Sequence, residues 1–254
     1  MPPVYATRSI VLRSQPFGES DQIVCFLTED HGKVTGIAKG AKRSRRRFVN
    51  SLEPFSIVNL RFQDYPQRSL AFIHGCELLQ AFRRLTKNLA SIACAAYLTE
   101  ITAELTRERE QNPALFSHLR DGLTYLNEQD VCRGFLIFFE LKLLRLAGYE
   151  PMFESCCRCK QSWRAHAGSW FFSCRDGGIL CASCARLRRD AVLVSAQTLS
   201  AVSSLRAQES FAGEGPFADA TAVREMRLLL PRFIQFQINK ELKSARFLSS
   251  FCSF

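Results

Sequence analysis

Two hydrophobic rhythms divide the chain. Over the first third, apolar residues come in short β-rich runs at Ser9–Ser14, Asp21–Thr28, Lys33–Ala38, Phe55–Phe62 and Leu70–Cys76. Turn chemistry separates them: Gln15-Pro16-Phe17-Gly18, then Glu29-Asp30-His31-Gly32, then Asp64-Tyr65-Pro66-Gln67 before the last run. Ile23, Cys25 and Leu27 share one face, the period-2 alternation of a strand with one side buried. Five such runs with no helical period between them predict a small closed or nearly closed barrel, and the pattern fits an OB topology or an SH3-like one.

From about Asn88 the period lengthens. Leu89, Ile92, Ala93, Ala96, Tyr97, Ile101 and Leu105 recur at helical spacing, and the helix they predict ends near Arg107–Gln111, before Pro113. A shorter helix is predicted from Pro113 to Leu126. Between Val131 and Ala147, Phe135, Leu136, Phe138, Phe139, Leu141, Leu143, Leu144 and Leu146 cover most of a helix's circumference, with Gly148 as the stop. Such a helix belongs at the buried axis of a helical domain. Helical spacing returns from Ser195 to Leu205 and from Thr221 to about Ser249, where Pro231 should kink or restart the helix. Residues 208–219, with Gly213, Gly215 and Pro216, read as a loop. The predicted class is α+β: a barrel domain over residues 1–82, then an all-helical domain over 83–254 with a module at 153–190 inserted between its helices.

That module is defined by cysteines. Cys156-Cys157-Arg158-Cys159 is answered by Cys181-Ala182-Ser183-Cys184 after 21 intervening residues. Two C-x2-C pairs at this separation suit a tetrahedral zinc site, each pair holding one edge from a tight knuckle. The segment between, with Trp163, Trp170, Phe171, Phe172 and the turn Asp176-Gly177-Gly178, can fold back to join them. Four thiolates, from Cys156, Cys159, Cys181 and Cys184, close the coordination sphere around one structural Zn2+ per chain and leave no position for substrate. Cys157 and Cys174 read as bystanders, and His166 is the alternative fourth ligand. The chain has 11 cysteines, an odd number, and six of them crowd into this module. A reducing cytoplasm fits that distribution better than a disulfide scaffold does.

Charge adds a partner. The net charge is +10 over 254 residues, and residues 1–85 hold 13 Lys and Arg against 7 Asp and Glu. A soluble protein with this balance takes a polyanion by default. The densest run lies between the third and fourth predicted strands, with Lys42, Arg43, Arg45, Arg46 and Arg47 in six residues, extended by Lys33 and Lys39. Mutual repulsion rules this run out as a buried strand and leaves a solvated loop or a phosphate-binding one. Phe48, Phe62, Tyr65 and Phe72 are candidates for base stacking, although barrel core is the better reading for most of them. No uncharged run is long enough to span a bilayer, and the N-terminus lacks a signal-peptide pattern. The four histidines, His31, His74, His118 and His166, sit in unrelated segments, and neither a phosphate loop nor a zincin motif occurs. The sequence therefore reads as a binder and not an enzyme. The alternatives are a zinc-stabilised nucleic-acid-processing enzyme, for which the acids Glu53, Asp64 and Glu77 form no motif, and an RNA-binding scaffold.

Several stretches carry a resemblance to the RecO family of bacterial recombination mediators. Gly18-Glu-Ser-Asp-Gln-Ile23, Thr28-Glu-Asp-His-Gly32 and Gly36-Ile-Ala-Lys-Gly-Ala-Lys-Arg43 look like its N-terminal signature. Leu144–Pro151, Cys156-x2-Cys159-Lys160 and Gly177-Gly-Ile-Leu-Cys181-x2-Cys184 look like its zinc segment, and Leu242-Lys-Ser-Ala-Arg-Phe-Leu248 like its C-terminal helix. The likeness is essentially full length, and Cys157 and Cys174 depart from it. It implies an OB-fold, binding of single- and double-stranded DNA, strand annealing, and a cytoplasmic protein associated with the nucleoid. It also implies action with RecR to load RecA onto DNA coated by single-stranded-DNA-binding protein (SSB), whose acidic, apolar-ended C-terminal tail such proteins bind. On the final predicted helix, Arg232, Lys240, Lys243 and Arg246 are candidates to rim a pocket for that tail.

Overall fold

A computed structural model describes residues 2–65, 67–165, 168–211 and 219–251. Its contacts divide the chain into two units: residues 2–130 with 243–251, and residues 131–242.

The first unit is built on a barrel. Strands β1 (Val4–Phe17), β2 (Asp21–Thr28), β3 (Gly32–Ala38), β4 (Ile57–Gln63) and β5 (Ala71–Gln80) close in the order β1-β2-β3-β5-β4, with β4 returning to β1. Every pairing is antiparallel except β3 with β5. This is the OB order, so the topology left open by pattern is settled by the register. One strand bends to serve both edges: Val4–Ile10 of β1 pairs with β4 and Ser9–Phe17 with β2, with a shift between Val11 and Arg13. The barrel closes at Gly36, where an added Cβ would stand 2.4 Å from Ile73 Cδ1 and 2.9 Å from the Ala71 carbonyl oxygen, so only glycine lets β3 reach β5. Val24, Phe26, Val34, Val58, Leu60, Phe62 and Ile73 fill the interior.

Three helices complete this unit. Asn88 Oδ1 caps α1 (Leu89–Leu105) by accepting from the Ala90 and Ser91 amides, and Asn112 Oδ1 caps α2 (Pro113–Glu128) from the Leu115 amide at 3.0 Å, with Pro113 in the first turn. The last helix of the chain, labelled α7 (Lys243–Phe251), packs on α1, and the Glu100 carboxylate of α1 accepts from the Lys243 and Ser244 amides at 3.1 and 2.7 Å.

The second unit has α3 (Arg133–Leu146) at its centre, buried nearly all round as its composition predicts, with α5 (Ala196–Arg206) and α6 (Ala220–Ile238) packed against it. Glu140, fully buried on α3, pairs with Arg227 of α6 at 3.1 Å. Pro231 neither ends nor restarts α6, because Leu229, Leu230, Phe233 and Ile234 around it are buried and hold the backbone helical despite the missing donor. The break falls instead at Asn239, whose φ of 49° leaves the right-handed region. The single helix expected to Ser249 is therefore two, α6 and α7. Gly213, Gly215 and Pro216 of the expected loop lie outside the described residues, as do Pro66 and His166.

Between α3 and α5 lies the cysteine module. Strands β6 (Trp170–Ser173), β7 (Gly178–Cys181) and β8 (Val192–Val194) form a sheet ordered β7-β6-β8, and the one-turn α4 (Ala182–Ala185) follows β7. Phe172 stacks on Phe153 at 5.4 Å and meets Phe233 of α6 edge-on at 5.6 Å. The module is thus packed on α6.

Candidate nucleic-acid interface and metal centre

The basic run is an arch between two anchors. Ala41 at one end, Phe48 at the other and Leu52 beyond it all belong to the barrel core, so burial fixes the ends while the intervening charges stay out. Lys39, Lys42, Arg43, Arg45, Arg46 and Arg47 are all exposed. The first anchor is tightened by Asp21, which opens β2: its Oδ1 accepts from the Gly40 amide at 2.8 Å and the Ser20 hydroxyl at 3.0 Å, and these bonds hold its carboxyl below the usual carboxylate range. The Lys42 amide and ammonium donate to the Ser20 and Gly18 carbonyls, at 2.9 and 3.0 Å. At the second anchor, the Arg47 carbonyl accepts from the Cys76 amide of β5 at 2.9 Å and the Arg47 guanidinium donates to the Lys39 carbonyl at 2.7 Å. Arg43, Arg45 and Arg46 make no ion pair or side-chain hydrogen bond among the described residues. Three guanidiniums held in water with no ion-pair partner present a positively charged surface.

Lys33 is not part of this surface. Its ammonium donates to the Ala103 carbonyl at 2.6 Å and lies 4.0 Å from Glu108, and its side chain is only 15 % exposed. It ties β3 to the end of α1. Spacing alone cannot separate it from Lys39, since both lie in or beside β3. Among the aromatics, Phe48 and Phe62 are core, with exposures of 6 % and 1 %, as the blander reading of strand aromatics has it. Tyr65 and Phe72 are partly exposed. A cleft of about 460 Å³ runs beside Tyr65, lined also by Tyr5, Arg68, Glu108 and the Asp64–Arg109 ion pair. Asp64 is thus committed to a cation, and Arg109 holds its carboxyl below the usual range.

In the module, the Sγ atoms of Cys156, Cys159, Cys181 and Cys184 all lie within 4.8 Å of one another, and Cys159 and Cys181 are 3.7 Å apart. A tetrahedron with metal–sulfur bonds of ~2.3 Å has sulfurs ~3.8 Å apart, so the cluster fits one metal ion. Two local structures build it. The Lys160 amide donates to the Cys156 carbonyl at 3.0 Å and the Cys156 amide to Gln161 at 2.9 Å, a knuckle that needs Lys160 at φ 62°. The second pair sits where β7 passes into α4, which brings Cys181 and Cys184 to one side. Burial raises the Cys156 and Cys181 thiols, but backbone amides outweigh it: those of Cys159, Cys181 and Arg158 lower Cys156, and the Cys184 amide with the Ser183 hydroxyl brings Cys181 to about 6. Beside these easily ionised thiols Cys184 is pushed up to about 12, first by its bond to Cys181. Four thiolates this close repel, and a shared cation is what lets all four ionise. Cys157 and Cys174 stand outside the cluster, and burial raises both thiols. Among the described residues, no other grouping of His, Cys, Asp or Glu is arranged to hold a metal.

Asp176 stiffens the module in a way its spacing did not signal. Its carboxylate accepts from Arg158 in the knuckle and from Arg188 after α4, both at 3.0 Å, and so spans the two halves of the cluster.

Elsewhere in the second unit, Phe138, Leu141 and Leu205 floor a small depression rimmed by Lys142, Arg145 and the Arg206–Glu150 ion pair. Of the cations expected on one final helix, Arg232 lies on α6, Lys240 follows it, and Lys243 and Arg246 lie on α7; the first two and last two fall in different units. Among the described residues, no helix is long and apolar enough to cross a membrane.

The family model for Recombination protein O N terminal matches residues 1–82, and that for Recombination protein O C terminal matches residues 86–246. The chain is 32 % identical over 246 residues to a protein of Syntrophus aciditrophicus, with 96 % of this chain and 95 % of the relative covered. It is 35 % identical over 242 residues to one of Anaeromyxobacter dehalogenans, with 94 % and 93 % covered, and 34 % identical over 245 residues to one of Myxococcus xanthus, with 96 % and 97 % covered. Each relative is named DNA repair protein RecO.

Proposed function

We propose that this chain, which belongs to the RecO family of DNA repair proteins and serves recombinational repair, is a DNA-binding mediator that anneals complementary strands and, with RecR, helps load RecA onto SSB-coated single strands. One observation carries the proposal: the arch from Ala41 to Phe48, whose ends are fixed in the barrel core and whose middle offers guanidiniums with no internal acid to neutralise them. Annealing breaks and forms no covalent bond. Two strands repel through their phosphates, and a fixed cationic surface that neutralises both lowers that barrier, with counterion release supplying most of the affinity. Lys39, Lys42, Arg43, Arg45, Arg46 and Arg47 supply the field; the ammonium of Lys33 is engaged with Ala103 and is left out.

The metal is zinc, bound one per chain by Cys156, Cys159, Cys181 and Cys184, and it supplies cross-linking, since four sulfurs leave no coordination site for a reacting group. For an acidic tail ending in an apolar residue, the depression floored by Phe138, Leu141 and Leu205 supports binding better than the cations of α6 and α7. It joins an apolar floor to Lys142 and Arg145 within one unit, with Arg206 beside them paired to Glu150.

The test is annealing of complementary oligonucleotides, bare and SSB-coated, across a salt series. Replacing Lys42, Arg43, Arg45, Arg46 and Arg47 by Ser should slow annealing and reduce the single-strand salt slope by about 3 to 4, as five lost contacts require. Unchanged affinity and slope would overturn the assignment, and cleavage or modification of the DNA would point to an enzyme.

A further inference from the structure

Strand β5 carries a bulge beside the arch. Phe62 of β4 faces Ile73 and Arg61 faces Gly75, so His74 is the extra residue between two registered pairs. The bulge interrupts the alternation: Ala71, Ile73 and Cys76 are buried, while Phe72, His74 and Gly75 are partly exposed on the outer face. Phe72 and His74 meet edge to face with ring centroids 4.9 Å apart. Gln63 steadies them, because its side-chain oxygen accepts from the Tyr65 hydroxyl at 2.7 Å and lies 3.3 Å from His74 Nε2, while its amide is turned away to the Pro2 carbonyl. Beyond Gln63, the Arg68 guanidinium lies 4.9 Å over the Tyr65 ring.

The bare Gly75 is where the arch comes down. A Cβ there would stand 3.3 Å from the Arg47 carbonyl oxygen, the oxygen that accepts from the Cys76 amide. Along the β3 seam, Ile37 is registered with Phe72, and the exposed Lys39 follows two residues later. Partly exposed rings therefore lie close to the two ends of the arch, where the Arg47 guanidinium meets the Lys39 carbonyl. Rings meant only to seal the barrel would point inward, as Phe62 and Phe48 do.

We infer that Phe72 and His74 form a stacking platform for the bases of a single-stranded nucleic acid, continued by the Tyr65–Arg68 pair, with the phosphates of the same strand on the cationic arch. This rests on the DNA-binding reading above and adds what the arch lacks. Phosphate contacts do not distinguish single strands from duplex, whereas a stacking surface takes only bases whose faces are free. Stacking occupies the face of a base and leaves its pairing edge open, so a strand held this way can still meet its complement.

The experiment titrates a fluorescein-labelled oligothymidine, the same oligomer with abasic sites, and a duplex, across a salt series. The proteins are the wild type, Phe72→Leu, His74→Ala, Phe72→Trp and the five-cation variant. Phe72→Leu keeps the apolar volume and should leave the melting temperature unchanged. It should weaken oligothymidine binding roughly tenfold with the salt slope intact. Duplex affinity should not move, the abasic oligomer should bind wild type and Phe72→Leu alike, and Phe72→Trp should restore binding. His74→Ala should act in the same direction. Full oligothymidine affinity in Phe72→Leu and His74→Ala, or equal losses on single strand and duplex, would overturn the platform. The two readings fail separately: if the five-cation variant loses affinity and Phe72→Leu does not, the platform alone falls, whereas undiminished binding by the five-cation variant removes the reading beneath it.

Discussion

The barrel and the cysteine module are both small β structures, and they are held together differently. The barrel closes each of its five strands on two neighbours and fills the centre with Val24, Phe26, Val34, Leu60, Phe62 and Ile73, so its order comes from buried apolar surface. The module has strands of 4, 4 and 3 residues, too short to enclose an interior of their own. Its order comes from the Cys156–Cys184 cluster, from Asp176 spanning Arg158 and Arg188, and from Phe172 resting on Phe233. Where apolar area is scarce, a few strong local bonds substitute for it, and the region becomes sensitive to single residues.

The largest expected effect breaks the module and spares the barrel. A structural zinc site contributes ~10–16 kcal/mol of apparent binding free energy, more than a module of this size can replace from its own core. Chelation, or Cys181→Ser, should abolish amide-exchange protection in β6 and β7 while β1 to β5 keep theirs. Equal loss of protection in the barrel strands would show that the two regions do not fold independently of the metal.

The converse change is Phe62→Ala. Phe62 is 1 % exposed in the barrel centre, and truncating such a side chain costs about 3–5 kcal/mol. Urea unfolding followed by barrel amides should shift by that amount, while the metal content of the purified protein stays at that of wild type. A smaller test of the same closure is Gly36→Ala, where the new methyl must push back Ile73 or the Ala71 backbone at about 1–3 kcal/mol. If Gly36→Ala left barrel stability unchanged, the β3–β5 seam would not be the tight point of the barrel.

The same difference decides what the sequence makes legible. The five strands, the buried α3 and the four clustered cysteines are written in periodicity and spacing, which read directly into geometry. What escapes is set by partners far apart in the chain. Lys33 reads as one more cation of the basic run until Ala103, 70 residues away, takes its ammonium. Asp176 reads as part of a turn until Arg158 and Arg188 meet on it. Pro231 reads as a break, yet the break falls at Asn239, because the burial around the proline outweighs its local preference. The bulge at His74 has no sequence signature, since it is a relation between the lengths of β4 and β5 and not a property of either.

The smallest effect concerns the polar bonds that pin a loop to the barrel, and pH sharpens it. Arg109 sits at φ 64°, a conformation that a non-glycine residue adopts at a cost, and bonds to Asp64 and to the Lys33 carbonyl hold it there. The hydrogen bond from Arg109 lowers the Asp64 pKa from its ordinary 3.8. A carboxyl depressed in the folded state adds stability that is fully present above its unfolded value and is lost as pH falls through its folded value. The pair is about one-third exposed, with side chains at 31 % and 32 %, so screening limits its worth to about 1 kcal/mol. Asp64→Asn should therefore be less stable than wild type by about that amount in urea at pH 7, and by the same amount at pH 5.5. Below pH 4 the gap should close as Asp64 itself takes up a proton. A gap that persisted at pH 3 would mean that the carboxamide disturbs the packing of the loop, and that the charge on Asp64 is not what holds Arg109.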